Sequence, residues 1–196
     1  AEDYIFGMTL FNDWSARDIQ SWEYAPLGPF LGKNFASTMS PWVVTLEALE
    51  PFKTKGPAPE KKLLPYLQYN GAANYNIDLE VTITPSNRNE TTIVQSNSKY
   101  LYWNIRQQLA HHTINGCNIN IGDVMASGTI SGPDHHSLGS MLELTEGGKK
   151  TLPLSNEIKR TFLEDLDTIT LKGRAIKGEV QVGFGTASAQ ILPALS

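Results

Sequence analysis

The chain has a single cysteine, Cys117, and so cannot close an internal disulfide. No apolar run approaches the roughly 20 residues of a membrane span. There is also no basic stripe of the kind that tracks nucleic acid or an acidic membrane surface. Acids and bases are mixed along the sequence and leave a formal net charge of −4, so an anionic ligand would need locally placed cations. The first residues, Ala1 to Phe6, lack the positive segment and long apolar core of a secretory signal. Together with the lone thiol, this leads to the expectation of a cytoplasmic protein without a nucleic-acid or membrane partner, with Ala1 as a cut end.

What is present is enough for one domain: 196 residues, 40% of them hydrophobic. Tyr4 to Leu10 reads as a strand, and Asn12 to Tyr24 as a short helix around Ile19 and Trp22. Pro26 to Thr38 is broken by Pro26, Gly28, Pro29 and Gly32 and reads as a loop. Trp42 to Ala48 is strand-like, and the proline- and lysine-rich stretch from Glu50 to Pro65 reads as an exposed excursion. Alternation at Ile77, Leu79, Val81 and Ile83 predicts a half-buried strand, with Thr91 to Ser96 as its partner and Asn87 to Asn89 as the turn. Tyr100 to His112 is the clearest helix, with Leu101, Ile105 and Leu109 on one face and Asn115-Gly116 as its stop. Beyond Gly122, short strands are expected at Val124 to Ala126, Ser140 to Leu144, Thr168 to Lys172 and Val180 to Phe184. The fold class is therefore mainly β with a few helices.

Several polar groups could carry chemistry. On a helix, Asp13, Arg17 and Gln20 would share one face and could converge on a carboxylate or oxyanion. A solvated face with Asp13 capping the helix and pairing with Arg17 explains the same spacing, and spacing alone favours it. Lys33 follows Gly32 in the glycine- and proline-rich loop, where a desolvated ammonium would stabilise developing negative charge; most lysines are simply exposed. Ala126 to Pro133 offers hydroxyls and backbone N–H groups that suit a carboxylate, or a plain turn between strands. Glu143, between Leu142 and Leu144, points off an apolar strand face and is a candidate base, the partner of one, or an edge-strand carboxylate. The adjacent pairs His111-His112 and His135-His136 lack helical metal-site spacing, and one cysteine makes a Cys/His zinc site improbable. Ser15 has no nucleophile-elbow glycines, and phosphate-loop and dinucleotide fingerprints are missing.

These segments, taken in order, resemble the fumarylacetoacetase (fumarylacetoacetate hydrolase) family. The matching strings include Phe6-Gly7-Met8, the unbroken Asn12 to Gln20, Trp22-Glu23-Tyr24, Pro26 to Lys33 and Ser40-Pro41-Trp42. They continue through Gln107-Gln108-Leu109, His111-His112, Asn115-Gly116-Cys117, Ala126 to Pro133, Gly183-Phe184-Gly185 and Leu192-Pro193-Ala194-Leu195. The resemblance implies a mixed β-sandwich or β-roll in a homodimer that hydrolyses 4-fumarylacetoacetate to fumarate and acetoacetate, the last step of tyrosine and phenylalanine catabolism. It implies catalytic roles for Arg17, Gln20, Lys33 and Glu143, the last orienting a histidine base. It implies substrate contacts at Gln20, Tyr24 and Thr129, and a calcium or magnesium position at Asp13, Lys33 and Ser37, where serine replaces the family's threonine. The family's remaining acidic metal ligands, an aspartate and a Glu-x-Glu pair, and its water-activating histidine have no counterpart in these 196 residues. Residues 1–196 are thus expected to be the carboxyl-terminal part of a single catalytic domain, without the amino-terminal domain. The alternatives are a related metal-dependent keto-acid decarboxylase or isomerase, and an inactive β module.

Overall fold

The computed structural model describes residues 1–155 and 157–194; Leu195, the last residue of the carboxyl-terminal string, lies outside them. In the amino-terminal part, β1 (Gly7–Met8) pairs with β4 (Val44–Thr45), and β2 (Phe11–Asp13) pairs with β3 (Ser37–Met39). Helices α1 (Arg17–Glu23) and α2 (Leu31–Asn34) sit between β2 and β3. After β4 come α3 (Leu46–Leu49), β5 (Lys53–Thr54) and its partner β6 (Asn74–Tyr75). The main sheet is antiparallel and four-stranded, built from β7 (Asp78–Thr84), β8 (Thr91–Asn97), and the long β11 (Thr168–Lys177) and β12 (Val180–Gln190), in the order β12-β11-β7-β8. Helix α4 (Ile105–Thr113), α5 (Met141–Leu144) and the small hairpin of β9 (Leu152–Pro153) and β10 (Lys159–Arg160) lie in the long connection from β8 to β11.

The alternation at Ile77 to Ile83 does become a central strand, because Leu171, Val81 and Val94 stand opposite one another and build one apolar row across β11, β7 and β8. Ile83, opposite Ile169, is fully buried. Two clusters result. One gathers Leu10, Leu49, Phe52, Tyr75 and Phe184, the other Ile83, Val94, Leu144 and Ile169. Gly173 packs against the first: a Cβ there would stand 2.8 Å from Leu10 Cδ2, so that side chain would have to shift.

Several expected elements differ. Tyr4 to Leu10 supplies only the two-residue β1, preceded by a 3-10 turn at Glu2–Tyr4. Trp42 to Ala48 yields the short β4, after which the Thr45 hydroxyl accepts the Ala48 N–H and starts α3. The excursion from Glu50 begins inside the core, since Phe52 is buried and β5 is paired. The main helix starts at Ile105 rather than Tyr100, because Asn104 and Gln107 form a reciprocal capping box. Val124 to Ala126 is irregular, and Ser140 to Leu144 is not a strand but the capped turn α5. Among the described residues no helix is long and apolar enough to cross a membrane.

Candidate active site

Asp13 ends β2 and stands directly opposite Ser37 on β3, so strand pairing brings the carboxylate and the hydroxyl to neighbouring positions. This corrects the helical reading of the segment: α1 begins at Arg17, its N-cap is Ala16, and no side chain caps it. Long-range pairing with β3 takes the Asn12-Asp13 backbone into a ladder before the helical spacing can apply. Arg17 therefore meets Gln20 rather than Asp13, with Nη1 donating to Gln20 Oε1 at 2.9 Å.

The partner of Asp13 is Lys33. Its Nζ lies 2.6 Å from Asp13 Oδ2 and donates to Ser15 Oγ at 2.8 Å and to the Asp13 carbonyl at 3.1 Å. The lysine is held there by α2, a turn of helix within the expected loop. The Glu23 carboxylate accepts the N–H groups of Phe30, Leu31 and Gly32 at 2.7, 3.0 and 2.7 Å, satisfying donors left open at the start of that turn. These amides, that of Gly32 foremost, hold the Glu23 carboxyl below its ordinary value. Gly32 is buried against α1, where a Cβ would come within 2.7 Å of the Gln20 nitrogen, and its carbonyl accepts the Ala16 N–H at 2.9 Å. Glycine is thus demanded by close approach of two backbones.

Asp13, Arg17, Lys33, Thr129 and Ser140 all face one wide cleft of about 2490 Å³. Gln20, Ser37 and Glu143 are not in its lining but stand one residue behind it, joined to Arg17, Asp13 and Ser140 respectively. Tyr24 caps the end of α1, exposed and also outside that lining. Glu143, on α5 rather than a strand edge, has one carboxylate oxygen accepting from Ser131 Oγ and the other from Ser140 Oγ, each at 2.7 Å. The histidines are engaged elsewhere: His111 with the Tyr66 hydroxyl at 3.0 Å, His112 with Cys117 Sγ at 3.4 Å, and His135 edge-on to His136.

Sequence reasoning gave no role to Glu23, Ser131 or Ser140 individually. Ser140-Met141-Leu142-Glu143 carries the Ser-x-x-Glu signature of a helix start, a signal that would have revealed α5. The three amides gathered by Glu23 leave no local signature, because they lie seven to nine residues away.

A hard divalent cation such as calcium takes six to eight oxygens, several of them from carboxylates. Asp13 and Ser37 offer one carboxylate and one hydroxyl, and an ammonium already occupies Asp13 Oδ2. Among the described residues no group of three or more His, Cys, Asp or Glu side chains is placed to hold a metal. The donor set of this chain does not by itself fit such an ion.

Asp13, Arg17, Gln20 and Lys33, which the fold gathers here, all lie in the sequence strings that carry the resemblance, Asn12 to Gln20 and Pro26 to Lys33. The family model for the fumarylacetoacetate (FAA) hydrolase carboxyl-terminal region matches residues 1–191, and the chain belongs to that family. The mainly β architecture with few helices agrees with it. Among individual proteins, the chain is 54% identical over 194 residues to the fumarylacetoacetase of Arabidopsis thaliana, covering 98% of this chain and 46% of that protein. It is 52% identical to that of Dictyostelium discoideum over 99% of this chain and 46% of the relative, and 50% identical to that of Rattus norvegicus over 100% and 47%. The chain spans about half the length of the curated relatives it matches.

Proposed function

We propose that residues 1–196 form the carboxyl-terminal part of the catalytic domain of a cytoplasmic, homodimeric hydrolase. It adds water across a carbon–carbon bond of 4-fumarylacetoacetate, giving fumarate and acetoacetate in tyrosine and phenylalanine catabolism. The observation that carries this reading is the placement of Lys33, held against Asp13 and Ser15 in the same cleft as Arg17 and Thr129.

Lys33 and Arg17 are the cations that a dianionic diketo acid would meet there, with the Lys33 ammonium shared with Asp13. Water attacks the carbonyl on the fumaroyl side, and the bond to the acetoacetate carbon breaks. The electron pair leaves with acetoacetate as an enolate, which then takes a proton. A free carbanion is too unstable to be expelled unaided, so the Lys33 ammonium stabilises the enolate oxygen while Arg17, held by Gln20, binds a carboxylate. Tyr24 and Thr129 contact the substrate, and Glu143 orients a histidine, supplied from outside these residues, that deprotonates water.

Calcium or magnesium would polarise the diketo oxygens when bound. In this reading Asp13 is one ligand, Ser37 and Lys33 flank it, and the other carboxylates come from outside residues 1–196. The cleft supports that division, because about 2490 Å³ exceeds the roughly 300–1,000 Å³ of a small-molecule site and leaves room for further polypeptide. The exposed apolar side chains Trp22, Leu27, Phe30 and Phe35 support a covered surface in a dimer, and the free thiol of Cys117 supports a reducing compartment.

The test is product analysis by NMR after incubating the full-length protein with 4-fumarylacetoacetate. Fumarate and acetoacetate in equal amounts are expected. Carbon dioxide release, a rearranged diketo acid, or no turnover would overturn the assignment.

A further inference from the structure

Ser131 both gives and receives a hydrogen bond. Its Oγ donates to Glu143 Oε1 at 2.7 Å and accepts the Gly139 N–H at 3.0 Å. Glu143 Oε2 is taken by Ser140 Oγ, which also accepts the Glu143 N–H at 3.3 Å and so starts α5. The chain on either side of Ser131 is pinned as well: Ser96 Oγ donates to the Ile130 carbonyl at 2.9 Å, and the Gly132 N–H to the Ser137 carbonyl at 2.9 Å. Gly139 approaches so closely that a Cβ would stand 2.7 Å from both Ile130 O and Thr129 Cγ2. An ionised carboxylate has about four lone-pair positions. Two serine hydroxyls leave both Glu143 oxygens able to accept one further donor.

We propose that Ser131 is a positioning residue for the hydrolytic reaction. Through one hydroxyl it fixes the Glu143 carboxylate and, by way of Gly139 and the pinned Ile130, the loop that carries Thr129. The acid that orients the base and the hydroxyl that touches substrate thereby keep a set separation. The inference rests on the roles given to Glu143 and Thr129 in the proposed function.

The test compares Ser131→Ala, Ser131→Thr and Ser131→Val in the full-length enzyme. Threonine and valine have the same shape and differ in the hydroxyl, so packing and hydrogen bonding are separated. The alanine and valine variants are expected to lose on the order of tenfold in kcat with a smaller change in KM, the effect of losing a hydrogen bond to a charged group that acts at the transition state. Threonine should recover most of the wild-type rate. Equal kcat for threonine and valine, or an alanine variant as fast as wild type, would overturn the proposal.

A second measurement does not depend on turnover. Hydrogen exchange at the Gly139 amide should quicken about tenfold in the alanine and valine variants but not in threonine. Unchanged exchange would also overturn the clamp. A wild-type enzyme that fails to hydrolyse 4-fumarylacetoacetate while the exchange pattern holds would instead sink the parent reading and leave the clamp standing.

Discussion

Lys33 Nζ lies 2.6 Å from Asp13 Oδ2, across a sequence separation of 20 residues. The lysine is about a quarter exposed and the aspartate nearly half, so the pair faces the cleft rather than the core. At that exposure an ion pair contributes little to stability, and in the proposed function its part is to place the ammonium for the substrate.

Replacing Lys33 by methionine keeps most of the unbranched side chain and removes its charge. In the full-length enzyme the expected result is a fall in kcat equivalent to about 3 kcal/mol, with KM changed far less. Steady-state kinetics separate the two constants. A change confined to KM would reduce Lys33 to a substrate-binding cation.

In the proposed function Asp13 is one ligand of the metal, so Asp13→Asn in the full-length enzyme should nearly abolish turnover and lower metal content, a neutral amide being a poor ligand for a hard cation. Metal analysis of the dialysed protein beside an activity assay checks both. Full occupancy with full activity would mean that Asp13 serves only to hold Lys33.

Gly32→Ala places a methyl group 2.7 Å from the Gln20 nitrogen, against backbone that cannot rotate away. A loss of about 1–3 kcal/mol in stability is expected from such overpacking. Because α1 and α2 must part to relieve it, activity should fall further than the melting shift explains. Chemical denaturation and kinetics on the same preparation measure the two effects.

Glu23 predicts a pH dependence. Its folded-state pKa is depressed below the ordinary 4.5 by the amides of Gly32, Phe30 and Leu31. Its contribution to stability is therefore present above about 4.5 and is lost as pH falls through the depressed value. The melting temperature of Glu23→Gln should lie below that of wild type at neutral pH, and the gap should close on acidification below 4.5. A gap that stays constant would show that shape, not charge, holds α2.

Residues 1–196 expressed alone should not hydrolyse 4-fumarylacetoacetate at a useful rate, even with excess calcium or magnesium. Among the described residues, Asp13 is the carboxylate paired with Lys33, and the hydrogen-bond partners of the Glu143 carboxylate are two serines rather than a histidine. Absence of a general base alone is expected to lower the rate by roughly 10²–10⁴-fold. Comparable rates from the isolated segment and the full-length enzyme would show that these residues carry a base of their own.

The sequence by itself determined the family, because unbroken strings such as Asn12 to Gln20 are far more specific than any spacing argument. It also determined the β7–β8 pairing, where period-two alternation and the turn at Asn87 (φ 57°) are local properties of the chain. Only the tertiary structure decided that Asp13 belongs to a strand, that Ser131 bonds Glu143 from twelve residues away, and that Glu23 gathers the amides that place Lys33. The reason is physical. Periodicity reports which face of a local element is buried, whereas pairing β2 with β3, packing Gly32 on Gln20 and bonding Ser131 to Glu143 join residues whose separation leaves no periodic trace.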